Sequence, residues 1–163
     1  MKQGEVNIRL IGINEVAGMS SFSRRAIRHY NGTPVDVSLS VRAEPDLKDS
    51  MISLIVSVIY ISTHNYLSEQ MLRYTVKADF EIDRLDEHVS QFGADATIST
   101  RLMTLMLSVT IGSLRGMLAL RTASTALRNY PLPIFNVSEI VSRLHYKTEN
   151  PADSRPFTNF VYN

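Results

Sequence analysis

From Ala96 to Arg128 the chain carries no proline, and apolar or small residues recur at helical spacing through Ile98, Leu102, Leu105, Val109, Gly112 and Gly116. The stretch predicts one long helix with Asp95 as its N-cap. At about 1.5 Å per residue it would span about 50 Å, whereas a compact chain of this length is about 40 Å across. It is therefore expected to bend at Gly112 or Gly116, or to reach into another subunit. Arg101, Ser108, Arg115 and Thr122, spaced by seven, form its narrow polar stripe, and nearly everything else in it is apolar or small. A helix apolar on most sides must be covered on most sides. One sheet covers one side, so a homodimer or homotetramer through this helix is expected. Arg115 is then expected to pair with a carboxylate or with backbone carbonyls, because an unpaired buried cation costs several kcal/mol.

The same stretch, residues 102–120, is long enough to cross a bilayer. Arg115 near the membrane centre would cost roughly 2.5–3.5 kcal/mol, and Thr104, Ser108, Thr110 and Ser113 add polar groups. Arg101 precedes it and Arg121 and Arg128 follow it, so basic flanks give no orientation. The expectation is a buried helix without membrane insertion.

Upstream, the period is two. In residues 35–43, Val35, Val37, Leu39, Val41 and Ala43 alternate with Asp36, Ser38, Ser40 and Arg42. In residues 72–82, Leu72, Tyr74, Val76, Ala78, Phe80 and Ile82 oppose Arg73, Thr75, Lys77, Asp79 and Glu81. Between them, Ile52, Leu54, Val56, Val58 and Tyr60 share one side while Ile55, Ile59 and Ile61 occupy the other, the mark of a central or doubly covered strand. The N-terminal stretch alternates through Val6, Ile8 and Leu10 and then slips phase at Ile11 and Ile13, as a bulge beside Gly12 allows. Four strands with short connectors at 44–50 and 63–69 predict antiparallel neighbours. The expected fold class is α+β: a four-stranded antiparallel sheet, one long helix and a short C-terminal helix. A single domain over 1–146 is followed by a tail over 147–163.

A net charge of +1 supplies no global field for nucleic acid or an anionic membrane. The absence of cysteine excludes disulfides and thiolate sites, and the N-terminal residues lack the apolar core of a signal peptide, so a cytoplasmic protein is expected. His29, His64, His88 and His145 lie in different segments without metal-ligand spacing. No nucleophile elbow occurs, and Gly112–Gly116 does not stand at a strand-to-helix turn, so neither catalytic residues nor a cofactor is expected. The basic cluster over 23–30 reads as a solvated connector rather than a nucleic-acid site. The acidic run Asp79, Glu81, Asp83, Asp86, Glu87 and Asp95 reads as a solvated edge, or else as a dock for a basic partner.

Residues 130–140, YPLPIFNVSEI, are the exception to polar connectors. Asn136 and Glu139 have capping-box spacing for a second helix ending near Tyr146. Before it, Pro131 and Pro133 keep the backbone out of either helix while Tyr130, Leu132, Ile134 and Phe135 stand where soluble chains place polar residues.

The order of four antiparallel strands, long helix, proline-bearing apolar link and short capped helix resembles SecB, the family of export chaperones that hold unfolded preproteins. Residues 6–18 are similar to its first strand, 35–62 to its second and third, 72–82 to its fourth, and 130–140 to its proline-containing link. Coverage runs from about residue 5 to 144 and rests on order and spacing. The resemblance implies a dimer of dimers and a groove for extended, non-native polypeptide clients. The client-binding residues would be Tyr130, Leu132, Ile134 and Phe135, with Phe22 and Tyr30 of the first connector as a second patch. In the family SecA binds acidic sheet positions and a C-terminal tail. Here the tail ends in aromatics around Arg155 and the first connector is basic, a departure that counts against SecA without excluding it as a partner and leaves room for a different one, such as that of the toxin–antitoxin-associated members. The alternative is an oligomeric structural or interaction protein that uses the fold without clients.

Overall fold

The computed structural model describes residues 6–28, 30, 32, 34–64, 67–92, 95–149 and 158–162. The alternating segments form long strands: β1 (Ile8–Glu15), β3 (Val35–Asp46), β4 (Met51–His64) and β5 (Leu67–Ile82), with the two-residue β2 (Ser21–Phe22) between β1 and β3. The sheet order is β1-β5-β4-β3-β8, where β8 is Thr158–Tyr162 and β2 adds to β5; its paired neighbours are antiparallel. β4 is central, as its two apolar faces require. The register of β1 against β5 shifts between Leu10 and Gly12, at the place where the apolar phase slips.

Val37, Val56 and Val76, with Leu54, Tyr60, Tyr74 and Phe80, are fully or almost fully buried on one face, and α2 (Thr100–Thr122) packs across β4 and β5 there. Leu102, Met106, Leu107, Ile111, Leu114 and Leu118 form the buried side of α2. On the other face, Ser57 and Thr75 share a 2.6 Å hydrogen bond, and the Thr75 hydroxyl also donates to the Met19 carbonyl in a short 3-10 turn over Ala17–Met19. The turn covers the polar centre of this face and satisfies it. α2 runs in the same sense as β1: Leu102 and Leu105 lie near Val6 and Ile8, and Arg121 pairs with Glu15.

Several expectations are corrected. The helix is not 96–128 but 23 residues with Ser99 at the N-cap. Asp95 instead opens β7 (Asp95–Ile98), which pairs with β6 (Val89–Phe92) in a separate two-stranded sheet. At about 35 Å the helix fits within the chain, so neither a bend nor a second subunit is demanded by length. Its C-terminal stop lies in Thr122 and Thr125, whose hydroxyls compete for backbone partners: Thr122 donates to the Leu118 carbonyl, and Thr125 donates to the Thr122 carbonyl and accepts from Leu127 N–H to start a 3-10 turn over Ala126–Asn129. The stripe spaced by seven is not one face. Seven residues fall about 20° short of two full helical turns, so the stripe drifts around the helix, and Arg101 is exposed while Thr122 is buried.

Two further elements replace expected coil, and the expected second helix runs longer. Arg24–Arg28 is a short helix, α1. α3 spans Val137–Glu149, so it takes in the first residues of the expected tail, and β8 pairs with β3 from Val35 to Leu39. The described chain thus has eight strands in two sheets, not four in one. α3 is capped by Asn136, whose Oδ1 accepts from Glu139 N–H at 3.3 Å. The Glu139 carboxylate turns to Arg143.

Candidate functional site

The link between α2 and α3 is anchored at three points. Tyr60, almost wholly buried in β4, donates its hydroxyl to the Tyr130 carbonyl at 3.0 Å. Arg115 donates to the carbonyls of Leu132 and Pro133 at 3.4 and 3.0 Å, the backbone pairing expected of this cation. Leu132 is 4% exposed and belongs to the core, with Pro133 buried beside it. The placement of Leu132 on an exposed client surface is therefore corrected: an unbranched path through the link must bury one side, and the aliphatic residue between the two prolines takes it. Ile134 follows at 93% exposure, and Phe135 is half-buried against the core.

The first connector comes to the same corner. The Tyr30 and Tyr130 hydroxyls lie 2.7 Å apart and their rings meet edge to face at 5.5 Å, closing a contact between residues one hundred positions apart. Burial, then the hydrogen bond and charge of Tyr130, push the Tyr30 phenol up to about 12. Phe22 meets Tyr74 edge to face at 6.2 Å, and the Arg121 guanidinium lies 5.1 Å over its ring. Burial, followed by the Glu15 carboxylate, raises Tyr74 to about 12. Five of the six expected residues, Phe22, Tyr30, Tyr130, Ile134 and Phe135, are at least partly accessible; α1 contacts the 3-10 turn that leads into the link, and the tyrosine pair joins the two patches.

A second apolar surface was only partly foreseen. On the outward side of α2, Leu105, Val109, Gly112, Gly116 and Leu120 are exposed, Leu120 at 81%, and edge strand β1 adds Leu10 and Ile11. Helix α2 is long and apolar enough to cross a membrane by length and composition, with 44% of the relevant window buried against the rest of the chain.

Three residues of the acidic run are paired, while Asp83 and Asp86 make no ion pair among the described residues, and the side chain of Asp95 lies outside them. Glu81 pairs with Arg9, Asp79 with Lys77 and Ser53, and Glu87 with Arg84. No cluster of three potential metal ligands occurs among the described residues. His88 is half-buried beside α2; His29 and Phe157 lie outside the described residues, as do the side chains of His64 and His145. No sequence signal could have found the Tyr30–Tyr130 contact or the placing of Arg121 over Phe22, because each joins distant segments. No protein-family model matches the sequence, and no curated protein is similar to it at a significant level.

Proposed function

We propose that the protein is a SecB-like holdase that binds extended, non-native polypeptide along the link and the adjoining connector, and that it works as a cytoplasmic homo-oligomer without catalysis or cofactor. One observation carries this reading. Ile134 is 93% exposed on a backbone held by Tyr60, Arg115 and two prolines. An apolar side chain offered on a rigid, extended backbone costs little further ordering when a partner covers it, and Phe135, Tyr130, Tyr30 and Phe22 continue the surface. The antiparallel sheet under a long helix agrees with the SecB-like order. Export through SecA is not part of the reading, since the first connector is basic and two acidic residues of β5, Glu81 and Asp79, are paired with Arg9 and Lys77.

The test is light scattering of a chemically denatured client diluted into buffer with and without the protein. The wild type is expected to suppress aggregation. Ile134→Ser with Phe135→Ser is expected to suppress it several-fold less at unchanged oligomeric mass, with Leu132 left in place because it is core. Absence of suppression by the wild type would overturn the reading and favour the second one, an interaction protein without clients. The exposed stripe of α2 supports that alternative, because it offers a self-association surface separate from the link.

A further inference from the structure

We infer that the cleft between α1 and the C-terminal end of α2 is a subsite for an acidic side chain of an extended polypeptide; this deepens the client-binding reading and rests on it. The cleft has a volume of about 580 Å³, within the range of small-ligand pockets and large enough for a carboxylate side chain with flanking backbone. Phe22 and Ile27 supply apolar walls, and Arg24, Arg28, Arg121 and Ser124 its polar groups. No carboxylate lines it among the described residues.

Its charges are not equivalent. Arg121 is held by Glu15 from β1 at 3.2 Å and lies over the Phe22 ring, so its charge is answered and its place fixed. Arg24 and Arg28 make no ion pair among the described residues. They stand one helical turn apart in a five-residue helix, Arg-Arg-Ala-Ile-Arg, that contains no acidic residue. Like charges at this spacing repel, and no carboxylate of the described residues pairs with either. A carboxylate entering the cleft would meet two guanidinium forks suited to it, while Phe22 and Ile27 cover its aliphatic stem. The cleft and the link are joined through α1 and its flank: α1 contacts the turn Ala126–Asn129, and Tyr30, just past α1, bonds Tyr130. A client lying against Ile134 and Phe135 can therefore continue into it, and the subsite would favour apolar stretches that carry an acidic residue.

The experiment is fluorescence anisotropy with the full chain and short labelled apolar peptides that differ only in a central Glu, Gln or Lys. The wild type is expected to bind the Glu peptide about tenfold more tightly than the Gln peptide and the Lys peptide most weakly, with the gap shrinking at high salt. Arg24→Gln with Arg28→Gln should bind the Gln peptide as the wild type does and lose the preference. Arg24→Lys with Arg28→Lys keeps charge without the fork and should retain part of it, which also serves if circular dichroism shows the glutamine variant unfolded. Equal wild-type affinity for the three peptides, or a preference that survives in the glutamine variant, overturns the subsite and leaves the client reading standing. No binding of any peptide, together with no suppression of client aggregation, overturns both. Tighter binding of a single-stranded oligonucleotide than of the Glu peptide, lost in the glutamine variant, overturns the polypeptide assignment in favour of nucleic acid.

Discussion

Arg115 reaches from the middle of α2 to two successive carbonyls, and the fold needs it there because Leu132 and Pro133 are buried and their carbonyls would otherwise lack partners. Phe80 plays the matching apolar part. It is 2% exposed on β5, opposite Ile52 on β4 and Leu10 on β1. Phe80→Ala is expected to cost about 3–5 kcal/mol in urea unfolding; a loss below about 1 kcal/mol would mean that the strand faces are exchanged. Tyr30 and Tyr74 give the chain a defined alkaline limit. Both phenols are raised from 10.0 to about 12 in the fold, so between those values the unfolded chain loses protons that the folded chain keeps. This contribution to stability is full below about pH 10 and is lost as pH rises through about 12. The fall measured by denaturation at stepped pH should be shallower in Tyr74→Phe and in Tyr30→Phe than in the wild type.

Among the elements, legibility followed the strength of the local pattern. β3 and β5 alternate over residues 35–43 and 72–82, β4 is apolar on both sides, and their faces fell where the pattern placed them. The bulge of β1 was visible as a phase slip beside Gly12, and the cap of α3 as Asn136 three residues before Glu139. The boundary at Ser99 was not visible, because Asp95–Ile98 is as compatible with a helix start as with a short strand, and its pairing with Val89–Phe92 is a tertiary choice. Leu132 was misread for a related reason: proline marks where a helix stops and says nothing about which side of the link is covered. β8 carries no strong period, and its place on β3 depends on pairing with Val35–Leu39. Its net worth should be small. About five ladder hydrogen bonds at about 0.5–1.5 kcal/mol each nearly cancel about 1–2 kcal/mol of ordering per strand residue. Truncation after Glu149 is expected to change unfolding stability by no more than about 1–2 kcal/mol. A larger loss would show that β8 is part of the core.

For the whole molecule, the shorter helix removes length as a reason for oligomerisation and leaves surface chemistry as the reason. Gly112 and Gly116 are exposed mid-helix, and a Cβ added at either would meet no atom within 4 Å. Neither glycine is therefore demanded by packing within the chain, although each costs about 1 kcal/mol relative to alanine in a helix interior. Close approach of a second helix would give that cost a return, with Leu105, Val109 and Leu120 along the same side of α2 and Leu10 on the adjacent edge strand supplying the apolar contact. Sedimentation is expected to show a dimer or tetramer at micromolar concentration. Gly116→Leu should shift it toward monomer by keeping the helices apart, whereas Gly112→Ala with Gly116→Ala should raise the stability of the isolated chain by up to about 2 kcal/mol while weakening association. A wild type that sediments as a monomer removes the interface altogether. An unchanged mass in Gly116→Leu keeps an oligomer but moves its contact off this side of α2, to the free edge of β1, where Leu10 and Ile11 are the next exposed apolar residues.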